Sequence, residues 1–196
     1  MYKDYKIVFL GNSSVGKTSL ISQYLCSKIQ ESAPTIAIDF LTTSYEISGK
    51  QVKIQVWDTA GQEKFRSIVG NYVRNTFLAV IVFSLEDLNS LDRVESWIED
   101  FVFVYNIKKE VKLMIVGNKR DLDLETAQAC IEKATQLAER FGAVFVTSSA
   151  LTRDGIKEMV TGINKLIEND LENAESSVKN IKNAITVPSN SRRRCC

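Results

Sequence analysis

Eight residues near the start of the chain constrain its fold more than any others: Gly11-Asn12-Ser13-Ser14-Val15-Gly16-Lys17-Thr18. They follow the apolar run Ile7-Val8-Phe9-Leu10 and open a stretch of helical period, Lys17 to Leu25. A GxxxxGK[ST] pattern between a buried strand and a helix is a phosphate-cradling loop in its required setting. Glycine lets backbone N–H groups approach a phosphate chain, and a helix N-terminus adds positive potential. Ser13, Ser14, Val15, Gly16, Lys17, Thr18 and Ser19 are therefore candidate nucleotide contacts. Lys17 is placed to contact the β- and γ-phosphates, and the Thr18 hydroxyl to ligate Mg²⁺.

The rest of the chain fits a sheet built around that loop. Short apolar runs predict strands over 39–47, 52–57, 78–83, 111–116 and 143–146, with a hairpin turn at Ser48-Gly49-Lys50-Gln51. Helical spacing predicts helices over 65–75, 89–105, 126–141 and 156–167, the third of these ending at Gly142. Alternating strands and helices with near-continuous apolar strands mean a parallel sheet covered on both faces. The expected fold is thus an α/β three-layer sandwich of the P-loop NTPase type. It has six mostly parallel strands, one of them an antiparallel edge strand, and five helices. Residues 1–167 form the nucleotide-binding domain, and 168–196 read as a polar tail. The favoured reading of that tail is a disordered linker. Apolar residues at Ile167, Leu171, Ala174, Val178, Ile181 and Ile185 offer the alternative of a helix prolonged until Pro188.

Composition narrows the chemistry. The chain has no histidine, which excludes Ser-His-Asp triads, Cys-His nucleophiles and zinc-protease helices. A formal charge of +1 argues against a basic field for nucleic acid. The four cysteines, Cys26, Cys130, Cys195 and Cys196, form no Cys-x-x-Cys pair, so neither a zinc site nor a disulfide framework is expected. A reducing compartment follows, and no signal-peptide core or membrane-spanning run is expected.

Two further clusters select the nucleotide. Asn118-Lys119-Arg120-Asp121 follows the strand ending at Val116-Gly117. The Asp121 carboxylate can accept from guanine N1–H and its 2-amino group, which adenine does not offer, while the stem of Lys119 covers the ring. Asp58-Thr59-Ala60-Gly61-Gln62-Glu63 follows the third strand. There Asp58 can hold Mg²⁺, Gly61 can donate its N–H to a γ-phosphate, and Gln62 can orient an attacking water. Thr35, in the polar stretch before the second strand, is the second hydroxyl ligand for the metal.

With these motifs the sequence resembles the Ras-like small GTPases, and within them the Rab family. The resemblance covers residues 3–167 and rests on Gly11 to Thr18, Thr35, Asp58 to Gln62, Asn118 to Asp121, and Ser149-Ala150. The Rab likeness rests on Ile38-Asp39-Phe40, the run Trp57 to Phe65, and the terminal Cys195-Cys196. Asn71-Tyr72-Val73-Arg74 and Phe40-Leu41 look closest to Golgi-associated Rabs.

The resemblance implies a Mg²⁺-dependent GTP/GDP switch that hydrolyses GTP and regulates vesicle traffic. Catalysis would fall to Gln62, Lys17 and Thr35. Ser149, Ala150 and Leu151 would join Asn118, Lys119 and Asp121 at the base, with the Ala150 N–H meeting guanine O6. Ile38, Phe40, Trp57 and Tyr72 would face effectors. Exchange factors, activating proteins and a GDP-dissociation inhibitor are the implied regulators. Cys195 and Cys196 would carry prenyl groups beside Arg192-Arg193-Arg194. The implied location is the cytoplasmic face of Golgi or endosomal membranes, in exchange with cytosol.

Four positions depart from the family pattern. Ile29 replaces an aromatic, Thr18 to Thr35 spans 17 positions and is one shorter than usual, Ala37 replaces glycine, and Leu151 replaces lysine. They suggest altered nucleotide exchange. Two other readings remain open on sequence alone: an effector-recruiting module with little hydrolysis, and a P-loop kinase or ATPase.

Overall fold

The computed structural model describes residues 3–25, 38–59, 73–104, 110–122 and 127–185. Its strands are β1 (Lys3–Leu10), β2 (Ile38–Ile47), β3 (Lys50–Thr59), β4 (Leu78–Ser84), β5 (Lys112–Asn118) and β6 (Val144–Thr147). They form one sheet in the order β2-β3-β1-β4-β5-β6. Only β2, at one edge, is antiparallel, pairing with β3. The expected sheet is met in strand number, direction and edge.

Side chains alternate across the sheet because successive strand residues point to opposite faces. On one face Tyr5, Ile7, Phe9, Val80 and Val82 pack with Leu20 and Ile21 of α1 (Lys17–Tyr24) and with Met159, Ile163 and Ile167 of the last helix. On the other face Val8, Leu10, Ile81 and Phe83 pack with Leu91, Trp97, Ile98, Cys130 and Ala134. The central strand β4 is buried at all of its residues. By contrast β6 is only half-buried, because it lies at the sheet's other edge.

Several boundaries differ from the sequence reading. β1 begins at Lys3, since its alternating polar start pairs with β3 from Lys3↔Val52 onward. The hairpin turn is the two residues Ser48-Gly49, both at positive φ (50° and 75°), and Lys50 and Gln51 belong to β3. Positive φ at both central residues is the turn type whose twist suits a tight hairpin. The predicted helix 89–105 is broken. It consists of α2 (Leu88–Asp92), α3 (Val94–Ser96) and a π-helical segment (Trp97–Phe103). α4 (Ala127–Phe141) ends at Gly142 as expected, with φ of 61°. The predicted helix over 65–75 lies outside the described residues except at 73–75.

The favoured linker reading of the tail is corrected over 168–185, and 186–196 lie outside the described residues. The last helix, α5, runs from Ile156 to Ile185, well past residue 167. Its apolar stripe continues onto the core through Leu171, which is buried. Polar contacts fasten the same stretch. The Asp170 carboxylate accepts from Lys3 Nζ (2.6 Å) and Tyr5 Oη (3.0 Å), and Glu168 accepts from Ser48 Oγ (3.1 Å). Lys50 pairs with Glu175 at 2.5 Å. Propensity alone would leave this extension marginal; β1 and the β2–β3 hairpin supply the tertiary contacts that hold it. No described helix is long and apolar enough to cross a membrane.

Candidate functional site

Ligands of open α/β sheets bind outside the carboxyl ends of the strands, and here β1, β3, β5 and β6 deliver the candidate residues to that edge. After Leu10 the chain turns on Gly11 and wraps toward Gly16, which caps α1. A Cβ on Gly16 would lie 2.2 Å from Asn118 Nδ2, and its φ is 96°. Glycine is required there by both space and backbone. Ser13 and Ser14 stand exposed at the loop's tip, Ser14 at φ of 62°.

Lys17 is buried beneath the loop. Its ammonium donates to the carbonyls of Gly11 (3.0 Å) and Asn12 (2.8 Å). Burial pushes its pKa down to about 8, and the Asp58 carboxylate partly opposes that shift. A phosphate chain beside it would favour the charged form. Asp58, near the end of β3, is also buried, and its Oδ2 accepts from Thr18 Oγ1 at 2.5 Å. One hydroxyl and one carboxylate converge from separate elements. Among the described residues no group of three His, Cys, Asp or Glu side chains could enclose a metal. This sparse, hard-oxygen donor set suits Mg²⁺, which is held by one or two protein oxygens together with substrate phosphates and waters.

The base side is organised by Asn118. This buried amide donates from Nδ2 to Val15 O (2.8 Å) in the phosphate loop. Its Oδ1 accepts from Ala150 N at 3.1 Å. A single side chain thus joins the loops after β1, β5 and β6. Ser149 Oγ donates to Asp121 Oδ1 at 2.5 Å, which brings the expected guanine acceptor and the Ser149-Ala150 turn together. Lys119 adopts φ of 67° and forms an ion pair with Glu86. Leu151 is 77% exposed, so it adds no packing where the family pattern has lysine.

A sequence profile of the Ras family matches residues 6–169. The chain belongs to the Ras family. It is similar to Ras-related protein Rab-4 of Dictyostelium discoideum, 32% identical over 177 residues, which cover 90% of this chain and 85% of that protein. As a Ras-superfamily GTPase it belongs to a group that binds GTP and GDP.

The Ala150 N–H, expected to meet guanine O6, donates to Asn118 Oδ1 at 3.1 Å. Thr35, Gly61, Gln62, Tyr72, Ile29, Ala37, Cys195 and Cys196 lie outside the described residues. On the expected effector face, Phe40 is 57% exposed and stacks on Trp57 with ring centres 5.2 Å apart. Lys6 Nζ lies 4.4 Å from the centre of the Trp57 ring. Phe40 is therefore a surface aromatic rather than a core one. Only the backbone of Ile38 is described.

Sequence reasoning missed two supports. Gln23 is buried and donates from Nε2 to Ala150 O at 2.9 Å, which ties α1 to the base loop. Its position among Leu20, Ile21 and Tyr24 on the apolar stripe of α1 was the available signal, because a buried amide must find a partner. Asn12 accepts from the Trp97 indole, a contact with no local sequence signature.

Proposed function

We propose that this Ras-family chain is a Rab-like GTP/GDP switch that hydrolyses GTP with Mg²⁺ and times events of vesicle traffic. The observation that carries the reading is the convergence of three loops on Asn118, together with the Thr18–Asp58 pair that follows the same phosphate loop. Such an arrangement holds a phosphate chain at one end and a base at the other. Ser13 to Ser19 would present backbone N–H groups to the phosphates, with Lys17 supplying the positive charge. Asn118, Lys119, Asp121, Ser149, Ala150 and Leu151 would surround guanine.

Thr18 and Asp58, with Thr35, would hold Mg²⁺, which when bound neutralises charge on the phosphate oxygens. Gln62 would position the attacking water, and the Gly61 N–H would meet the γ-phosphate. Because no described side chain at the site is a strong base, the protein's contribution is positioning and electrostatics.

Residues 1–167 would be the GTP-binding domain and 168–196 the tail, now with a helical first part. Phe40, Trp57, Ile38 and Tyr72 would meet effectors. Exchange factors, an activating protein and a dissociation inhibitor would act on the switch loops. Prenylated Cys195 and Cys196 would hold the protein to the cytoplasmic face of endosomal or Golgi membranes. The similarity to a Rab-4 protein supports the Rab assignment.

Single-turnover assays with GTP and ATP, each with and without Mg²⁺, test the activity. Release of phosphate from GTP alone, and only with Mg²⁺, is expected. Turnover of ATP, or tight GTP binding with no hydrolysis, would overturn it. Detergent partitioning of the Cys195→Ser/Cys196→Ser protein tests the anchor, and unchanged membrane association would reject it.

A further inference from the structure

We infer that Trp97 is a positioning residue for the phosphate loop, acting through Asn12. This inference rests on the proposed guanine-nucleotide site and adds a residue that neither the loop motif nor the base motifs contain.

Trp97 is fully packed in the second core layer, 2% exposed, yet its indole Nε1–H reaches out of that layer. It donates to Asn12 Oδ1 at 3.1 Å, across 85 positions of sequence. Asn12 is the second residue of the loop, and its own carbonyl accepts from Lys17 Nζ at 2.8 Å. Asn12 therefore carries two hydrogen bonds, one from the indole at its side chain and one from the lysine ammonium at its carbonyl. It stands between the core and the phosphate-binding cation.

Three restraints hold the loop. Gly11 sits against Val82, where a Cβ would come within 2.1 Å of the carbonyl oxygen. The Val15 carbonyl is held by Asn118. Between these, the exposed Ser13 and Ser14 have no such support, and Asn12 is the residue that fixes their start. A loop whose N–H groups must converge on phosphate oxygens gains from every degree of freedom removed beforehand.

The local backbone on the other side of this contact is unusual as well. Trp97 is the first residue of the π-helical segment Trp97–Phe103, although its own N–H still bonds Arg93 O at 3.0 Å. Helical segments of this wider kind are rare and are often found at functional sites. Trp97 stands where the helix changes register, and its indole N–H meets Asn12 while its ring packs with Ile98 and Val102 in the core.

The test uses the full chain loaded with a fluorescent GDP analogue. Trp97→Phe removes the donor together with part of the buried ring; Asn12→Ala removes the acceptor and leaves the ring in place. Each variant is expected to release GDP about tenfold faster, the scale set by one lost, partly buried hydrogen bond. Once the nucleotide is loaded with Mg²⁺, single-turnover hydrolysis by Trp97→Phe should change by less than about twofold, because the indole orders the loop and does not touch the reacting atoms. The double variant should be no faster than the faster single variant.

A spectroscopic reading accompanies the rates. The chain has two tryptophans, so ¹⁵N-indole spectra resolve Trp97 by its loss in Trp97→Phe, and its resonance should move in Asn12→Ala. Unchanged GDP release in both variants, or additive effects with an unmoved indole resonance, would overturn the inference. If Trp97→Phe fails to fold, Asn12→Ala with the indole spectrum decides alone. Wild-type protein that binds no GDP would remove the proposed function itself, whereas wild-type binding with unaffected variants removes only the role of Trp97.

Discussion

Asn118→Ala is the sharpest probe of how the site is assembled. The side chain is buried, and both ends of its amide are engaged, with the Val15 carbonyl at 2.8 Å and the Ala150 N–H at 3.1 Å. Val15 is 1% exposed and Ala150 6% exposed, so water has little access to either group left behind. A stranded buried partner costs about 1–3 kcal/mol. Two of them give about 3 kcal/mol after partial relaxation, a large share of a typical domain's net stability. For a domain of this size that corresponds to a fall of about 6–12 °C in Tm.

Because the amide joins three loops, the same loss should appear in nucleotide binding. About 3 kcal/mol corresponds to a Kd raised by about a hundredfold. The assay pairs thermal unfolding with release rates of GDP and of inosine diphosphate, whose base lacks the 2-amino group. A latch predicts that Tm falls and both nucleotides leave faster by similar factors. A side chain that touches the base without joining the loops predicts an unchanged Tm with faster release of nucleotide. That second outcome would refute the argument.

Other predictions follow from single features. Gly16→Ala should abolish measurable GDP binding at micromolar protein in a filter-binding assay, because the added Cβ meets Asn118 Nδ2 at 2.2 Å with φ at 96°. Lys17 has a pKa of about 8 in the folded chain against an ordinary 10.5, so between those values the unfolded chain holds the extra proton and stability rises with pH. Phosphates that favour the charged lysine should then take up about half a proton at pH 8, with affinity falling as pH rises further; calorimetry in buffers of different ionisation enthalpy reads this, and zero uptake would contradict it. Leu171→Ala should destabilise the protein by about 2–4 kcal/mol in urea titrations, as expected for a buried leucine and not for a linker residue. Asp170→Asn, at a half-exposed pair, should lower stability by less than about 1 kcal/mol, while hydrogen exchange at 168–175 speeds up.

Much of this was written locally in the chain. The run Ile7 to Leu10 followed by Gly11 to Thr18 carries strand, loop and helix within a dozen residues, and each local preference agrees with the fold. The hairpin around Ser48-Gly49 was legible for the same reason. What escaped is tertiary. The tail helix depends on Lys3, Tyr5, Ser48 and Lys50, all more than a hundred positions away from their partners in α5, and its own composition looks like that of a linker. The break in the helix after Asp92 leaves the apolar spacing nearly intact, so periodicity could not reveal it. Likewise the motif named Ala150 as a base contact but gave no sign that Asn118 already holds its N–H.

The clasp between β1 and α5 bears on how the protein is made. Lys3 and Tyr5 find their carboxylate 167 and 165 positions later, at Asp170. Tyr5 is 1% exposed, and burial together with that carboxylate raises its phenol pKa far above the ordinary value. During synthesis the first strand therefore emerges long before the helix that covers it. One face of β1, with Tyr5, Ile7 and Phe9, has only α1 to pack against until Met159, Ile163, Ile167 and Leu171 have left the ribosome. Closing so long a loop comes late and completes the whole core at once. A nascent chain stalled before about residue 171 should stay protease-sensitive throughout, phosphate loop included, and become resistant in one step once α5 is out.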